Sequence, residues 1–225
     1  MKRHTLSTRI WHWINAVALI VLFMSGLNIS NAHRYLYWGD YGYDPADAWT
    51  VVIRFPGWAT IPGYYDLAAA RDWHSIGAWV FAVALLGNWI AMLINRHFAR
   101  DIMTSAGDWR PSALKQAVGD HLKRRFSEDR SKYNSLQRIS YGLVFGLLLP
   151  MMVFTGLAIT PGFEPAAPWL VDILGGRQSA RSLHFLVAWA LFGFFVVHIV
   201  MVLLAGPLRQ TWAMIAGGRE EQADD

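Results

Sequence analysis

Eight histidines are the side chains of this sequence best suited to chemistry: His4, His12, His33, His74, His97, His121, His184 and His198. Cysteine is absent, so iron–sulfur ligation, disulfides and thioether-linked haem are excluded within the chain. His184 and His198 lie 14 residues apart in Ser182 to Leu204, a 23-residue stretch without Asp, Glu, Lys or Arg. Fourteen residues make about 3.9 helical turns, so both imidazoles project from nearly one face, about 21 Å apart along the axis. Ionisable residues in a membrane helix are expensive and mark function. Two on one face predict two stacked cofactors sharing this helix.

The elements that must position these residues are apolar. Four stretches, about 10–29, 73–94, 139–160 and 182–204, are each long enough to cross a hydrocarbon core of ~30 Å. The expected fold is an all-α membrane protein, a four-transmembrane-helix bundle forming one domain over 1–225. The composition agrees: 54% of residues are hydrophobic, 12 are Trp, and the mean hydropathy is +0.25. The net charge of +4 speaks to topology, and no basic-aromatic motif argues for nucleic acid. Fifteen Lys and Arg fall on the two tails and segment 95–138, against five (Arg34, Arg54, Arg71, Arg177, Arg181) on the other side. The excess places both termini and 95–138 in the cytoplasm. The first apolar run is long enough to span and lacks a small-residue cleavage site, so it reads as a span and not as a signal peptide.

Depth sorts the histidines into pairs. His74 and His184 open spans 2 and 4 at the outer side. His12 and His198 lie near the inner ends of spans 1 and 4. An iron–porphyrin needs two axial ligands from different helices at equal depth, and four histidines meet that condition twice. Zinc or copper wants its ligands converging within a few ångströms, not spread over two layers. The blander reading of a membrane histidine is an interhelical hydrogen bond. His4, His33 and His121 read as solvated. His97 is about 140° round the helix from His74 and does not read as a ligand. Met151 and Met152 read as packing, and Asn88 as an interhelical hydrogen bond.

A weak internal repeat runs through the chain. Span 1 ends Ser25-Gly26-Leu27 and span 3 ends Thr155-Gly156-Leu157; His74 and His184 are each followed four residues on by Ala-Trp. The repeat makes His74 and His184 symmetric partners. It fails at the inner level, where Gly142 and Asn88 stand at the positions equivalent to His12 and His198. The inner cofactor is therefore expected between spans 1 and 4. Segment 30–72 is long, aromatic and broken by Pro and Gly, and reads either as an interfacial aromatic belt or as a docking surface for an external redox partner. Segment 95–138 is basic and fits contact with anionic lipid, with a short helix expected from Pro111 to about Phe126.

These features resemble the bacterial di-haem cytochrome b family, b561-like, which holds the four-helix membrane subunits of formate dehydrogenase, of nickel–iron hydrogenase and of thiosulfate-reductase-type enzymes. The matching stretches are Arg9-Ile-Trp-His12-Trp13, Ser25-Gly26-Leu27, His74, and the His184/His198 spacing, over nearly the whole chain. The resemblance implies two haem b groups, ligated by His74/His184 and His12/His198. It implies a bacterial inner-membrane subunit that passes electrons between a periplasmic oxidoreductase, of the molybdenum-cofactor kind, and ubiquinone or menaquinone. Tyr133-Asn134-Ser135-Leu136-Gln137-Arg138 resembles the stretch lining the formate dehydrogenase quinone pocket, so Asn134 and Gln137 are candidate quinone ligands. The alternative for that stretch is a polar cap of span 3. Arg9 is a candidate for a haem propionate or a membrane-surface anchor. The rival functions are a self-sufficient superoxide:quinone oxidoreductase, a hydrogenase or formate dehydrogenase cytochrome subunit, and a non-redox transporter or assembly factor.

Overall fold

The computed structural model describes residues 6–94, 110–112, 115, 119 and 135–217. The elements are α1 (Leu6–Ala32), a two-stranded ribbon of β1 (Tyr35–Leu36) and β2 (Thr50–Val51), α2 (Leu67–Ile94), α3 (Ser135–Leu143), α4 (Leu149–Ile159), α5 (Pro168–Ile173), α6 (Arg177–Leu204) and α7 (Pro207–Ala216). Among the described residues, four helical stretches are long and apolar enough to cross a membrane: Leu6–Ala32, Leu67–Ile94, Arg138–Ile159 and Arg177–Leu204. Three of them contain the expected spans 10–29, 73–94 and 182–204 with about a turn or more added at an end, and Arg138–Ile159 is shifted from 139–160 by a single residue. Their outward faces are aliphatic, as a lipid-facing surface requires: Val17, Val83 and Val197 are each 60% exposed or more.

The chain divides into two compact units, residues 1–86 with 155–225, and residues 87–154. The second holds the end of α2, α3 and the start of α4. Between α3 and α4 the helix widens into one π-helical turn, Val144–Leu148, closed by the Leu149 N–H on the Val144 carbonyl. Pro150 explains it. Proline has no N–H to donate and its ring clashes with the carbonyl four residues back, and an i→i+5 turn relieves both. The helix expected over 111–126 lies largely outside the described residues.

The first unit holds all four histidines of interest. Its end bearing residues 33–66 is called here the loop end, and the opposite end, where α1 begins and α6 finishes, the tail end. Segment 30–72 is neither free nor flat against one helix. Asn28 of α1, fully buried, donates to the carbonyls of Pro62 (3.1 Å) and Tyr64 (2.8 Å). Asn31 exchanges two hydrogen bonds with the Phe55 backbone. The ribbon pairs Tyr35 with Val51 and Leu36 with Thr50. Beyond it, the Gly39 carbonyl accepts from the N–H groups of Gln178 and Ser179. Those are first-turn donors of α6 that no helical carbonyl reaches, so the loop caps that helix. Gly176 makes the approach possible: its φ is +104°, and a Cβ there would sit 2.4 Å from the Gly39 carbonyl carbon. A small-residue core of Ala158, Ala167, Leu170, Val171 and Ala180 ties α4, α5 and α6 together at the same end. Arg177 binds Glu164 and the Ile159 carbonyl there.

At the tail end, α7 follows Gly206 and opens with Pro207. The Trp13 indole N–H donates to the Met214 carbonyl at 3.2 Å, and the Arg9 guanidinium donates to the Ile215 carbonyl. These are the orphan carbonyls of the last turn of α7, which a cation and an N–H donor satisfy.

Candidate functional site

Helix α6 carries His184 and His198, α2 carries His74 and α1 carries His12. All four are half-buried. At the loop end the rings of His74 and His184 lie 6.2 Å apart between centres, at 65°. At the tail end His12 and His198 lie 6.3 Å apart, at 53°. Both expected pairs are therefore brought together, each from two helices. Two metal–imidazole bonds of about 2 Å, with about 1 Å more from each nitrogen to its ring centre, span about 6 Å. Each pair is spaced to hold one metal between its rings. No group of three or more His, Cys, Asp or Glu able to hold a metal occurs among the described residues. A metal at either pair must take its remaining ligands from a non-protein group, and a planar tetrapyrrole supplies four nitrogens.

The loop-end pair is held by hydroxyls. The Ser25 hydroxyl lies 3.0 Å from His74 Nδ1 and the Thr155 hydroxyl 2.9 Å from His184 Nδ1. Ser25 Oγ also reaches the carbonyl of Val21 at 2.6 Å and that of Leu22 at 3.2 Å. Its own proton goes to a carbonyl, so it accepts from His74 Nδ1–H, which leaves Nε2 with the free lone pair that metal binding needs. The neighbouring glycines face the same rings. A Cβ on Gly26 would meet His74 Cε1 at 3.5 Å, and one on Gly156 would meet His184 Cε1 at 3.4 Å. The hydroxyl–glycine repeat at residues 25–26 and 155–156 is thus the receptor for the two imidazoles. The repeat in the sequence contains both hydroxyls, but their role as imidazole partners appears only in the structure. A third hydroxyl, Ser182, is fully buried two residues before His184; it donates to the Tyr37 carbonyl (2.6 Å) and accepts from the Trp49 indole (2.9 Å).

The tail-end pair is framed by rings. His12 meets Trp13 edge-on at 5.1 Å, and His198 stacks on Phe194 at 6.2 Å. Between the two levels Phe23 of α1 stacks on Phe192 of α6 at 4.4 Å, nearly parallel, with Trp189 edge-on to both. Aromatic rings therefore stand between the two pairs.

The remaining candidates fall elsewhere. Arg9 is engaged by α7. Asn134 lies outside the described residues; Gln137 is on α3, and only its backbone is described. Asn88 is half-buried on α2. His33, expected to be solvated, is half-buried and accepts from Arg71 through Nε2 at 3.1 Å. Burial, then the guanidiniums of Arg181 and Arg71, hold its imidazole below the usual value, so it is a neutral acceptor. His4, His97 and His121 lie outside the described residues.

A family profile described as prokaryotic cytochrome b561 matches residues 3–217. The chain is 30% identical over 210 residues to a putative protein-methionine-sulfoxide reductase subunit, YedZ1, of Azospira oryzae, covering 93% of both chains. It is 27% identical over 206 residues to a probable Ni/Fe-hydrogenase B-type cytochrome subunit of Cupriavidus necator, covering 85% of this chain and 74% of that protein. No solved structure matches.

Proposed function

Because this chain belongs to the prokaryotic cytochrome b561 family, and so is a haem-carrying, multi-pass membrane subunit for electron transfer, we propose that it holds two haem b groups and links a periplasmic redox enzyme to the quinone pool. The observation that carries this reading is the pair of ring separations, 6.2 and 6.3 Å, at two levels of one helix. His74 and His184 would hold the haem iron at the loop end, and His12 and His198 that at the tail end. Bound haem supplies a one-electron Fe(III)/Fe(II) couple at each level. The protein's part is placement. Ser25 and Thr155 hold the Nδ1 protons and aim Nε2 inward; Phe23, Phe192 and Trp189 keep water out between the levels.

The chain acts as one domain of the bacterial inner membrane with both termini cytoplasmic, following its Lys and Arg asymmetry. The loop end then faces the periplasm. The relatives named above are subunits of redox enzymes, which supports a partner subunit on that side, and we assign it to the molybdenum-cofactor class. The quinone, ubiquinone or menaquinone, binds on the cytoplasmic side near Asn134 and Gln137, whose amides can donate to a quinone carbonyl. The test is a reduced-minus-oxidised spectrum and a haem assay on the purified chain. Two b-type haems per chain are expected. One haem, or none, overturns the reading.

A further inference from the structure

The geometry points to an anion site at the loop end, formed by Arg71 and Arg181, whose occupant is the carboxylate edge of the tetrapyrrole between His74 and His184. This rests on the haem reading of that pair. Arg71 stands three residues before His74 on α2, and Arg181 three before His184 on α6. Residues at this spacing share a helix side, with the earlier one about 4.5 Å nearer the N-terminus. Each guanidinium therefore lies one turn beyond an imidazole, and the two imidazoles are 6.2 Å apart. Arginine, ligand and spacing are repeated on both helices.

Among the described residues neither charge is paired with a carboxylate. The ion pair among the described residues joins Arg177 to Glu164. Arg71 instead donates to the neutral His33 imidazole, and Arg181 Nη1 to the Gln178 amide oxygen at 3.0 Å. His33 is half-buried and feels both guanidiniums, so the three groups form one cluster. Two guanidiniums set this close repel each other unless an anion joins them, and their planar forks suit carboxylate or phosphate. A lipid phosphate has the same chemistry. The carboxylate source is favoured because both arginines sit on the two ligand-bearing helices, and Arg181 is half-buried. Arg9, the sequence-based candidate for this role, is already engaged by the Ile215 carbonyl.

Cations here oppose the extra positive charge of the ferric state and raise the potential of the loop-end centre. The experiment is a redox titration of the full chain in phospholipid nanodiscs and in a phosphate-free maltoside detergent, with Arg71→Gln and Arg181→Gln, and Arg54→Gln as control. Of two b-type midpoints, one should fall in each cluster variant by roughly the tenfold change in equilibrium that equals about 59 mV for one electron. The fall should be the same in both media, and the control should show none. Two unmoved midpoints overturn the proposal while leaving the haem reading intact. A fall confined to the phospholipid nanodiscs overturns it in favour of a lipid phosphate. Absence of bound haem in the wild-type chain overturns both. If a Gln variant loses one haem, Arg71→Lys and Arg181→Lys decide. Recovery of that haem supports the charge role; its loss in these too overturns it.

Discussion

The two histidine pairs have nearly the same ring separation and are built in different ways. The loop-end pair sits in a duplicated receptor: a hydroxyl on each Nδ1, a glycine against each ring edge, and a strapped loop above. The tail-end pair has rings about it, Trp13 and Phe194. The contrast separates two ways of orienting a ligand. A hydrogen bond to Nδ1 fixes both the tautomer and the rotation of the imidazole; ring packing restrains the rotation more loosely.

The largest effect should come from removing one ligand at each level. His198→Ala should leave one b-type haem per chain, and His184→Ala should leave the other. Loss of both, or of neither, in a haem assay would break the division into two levels. Next comes the loop-end receptor. Thr155→Val leaves the His184 Nδ1–H buried and unpaired, and haem affinity there should fall by roughly 10- to 100-fold, as for other oriented ligands. Thr155→Ser should restore it. Phe194→Leu at the tail end removes only stacking, about 1 kcal/mol, so its haem should stay bound with affinity lowered by less than tenfold. If the two variants cost the same, the contrast is wrong. Both are read by haem titration of the reconstituted chain.

A smaller effect should follow Gly176→Ala. A Cβ there collides with the Gly39 backbone, and φ is +104°. A cost on the order of 1–3 kcal/mol is expected, seen as a lower melting temperature with loop-end haem released first. The smallest concerns His33. Its value is lowered in the folded chain, so the neutral ring contributes stability in full above its ordinary value of 6.5. That contribution declines as pH falls below that point, because the unfolded chain takes up the proton more readily. His33→Gln should flatten the decline in melting temperature between about pH 7.5 and 5.5.

Charge-free length and 3.6-residue periodicity determined the four spans, because a membrane helix needs about 20 apolar residues and little else. Depth and helical phase were enough to pair His12 with His198 and His74 with His184 before any coordinates, since both follow from rise and turn along straight helices. The Ser25-Gly26 and Thr155-Gly156 repeat was visible too, but its hydroxyls gained meaning only once α2 and α6 stood beside α1 and α4. Other features were out of reach because they depend on contacts across long sequence separations. Segment 30–72 straps α1 and caps α6 through Asn28, Asn31 and Gly39; α7 takes up Arg9; Arg71 and Arg181 meet over His33. The membrane solvent acts on each residue alone and can be read from the string. Which hydroxyl, carbonyl or cation meets which partner is decided only when the helices are side by side.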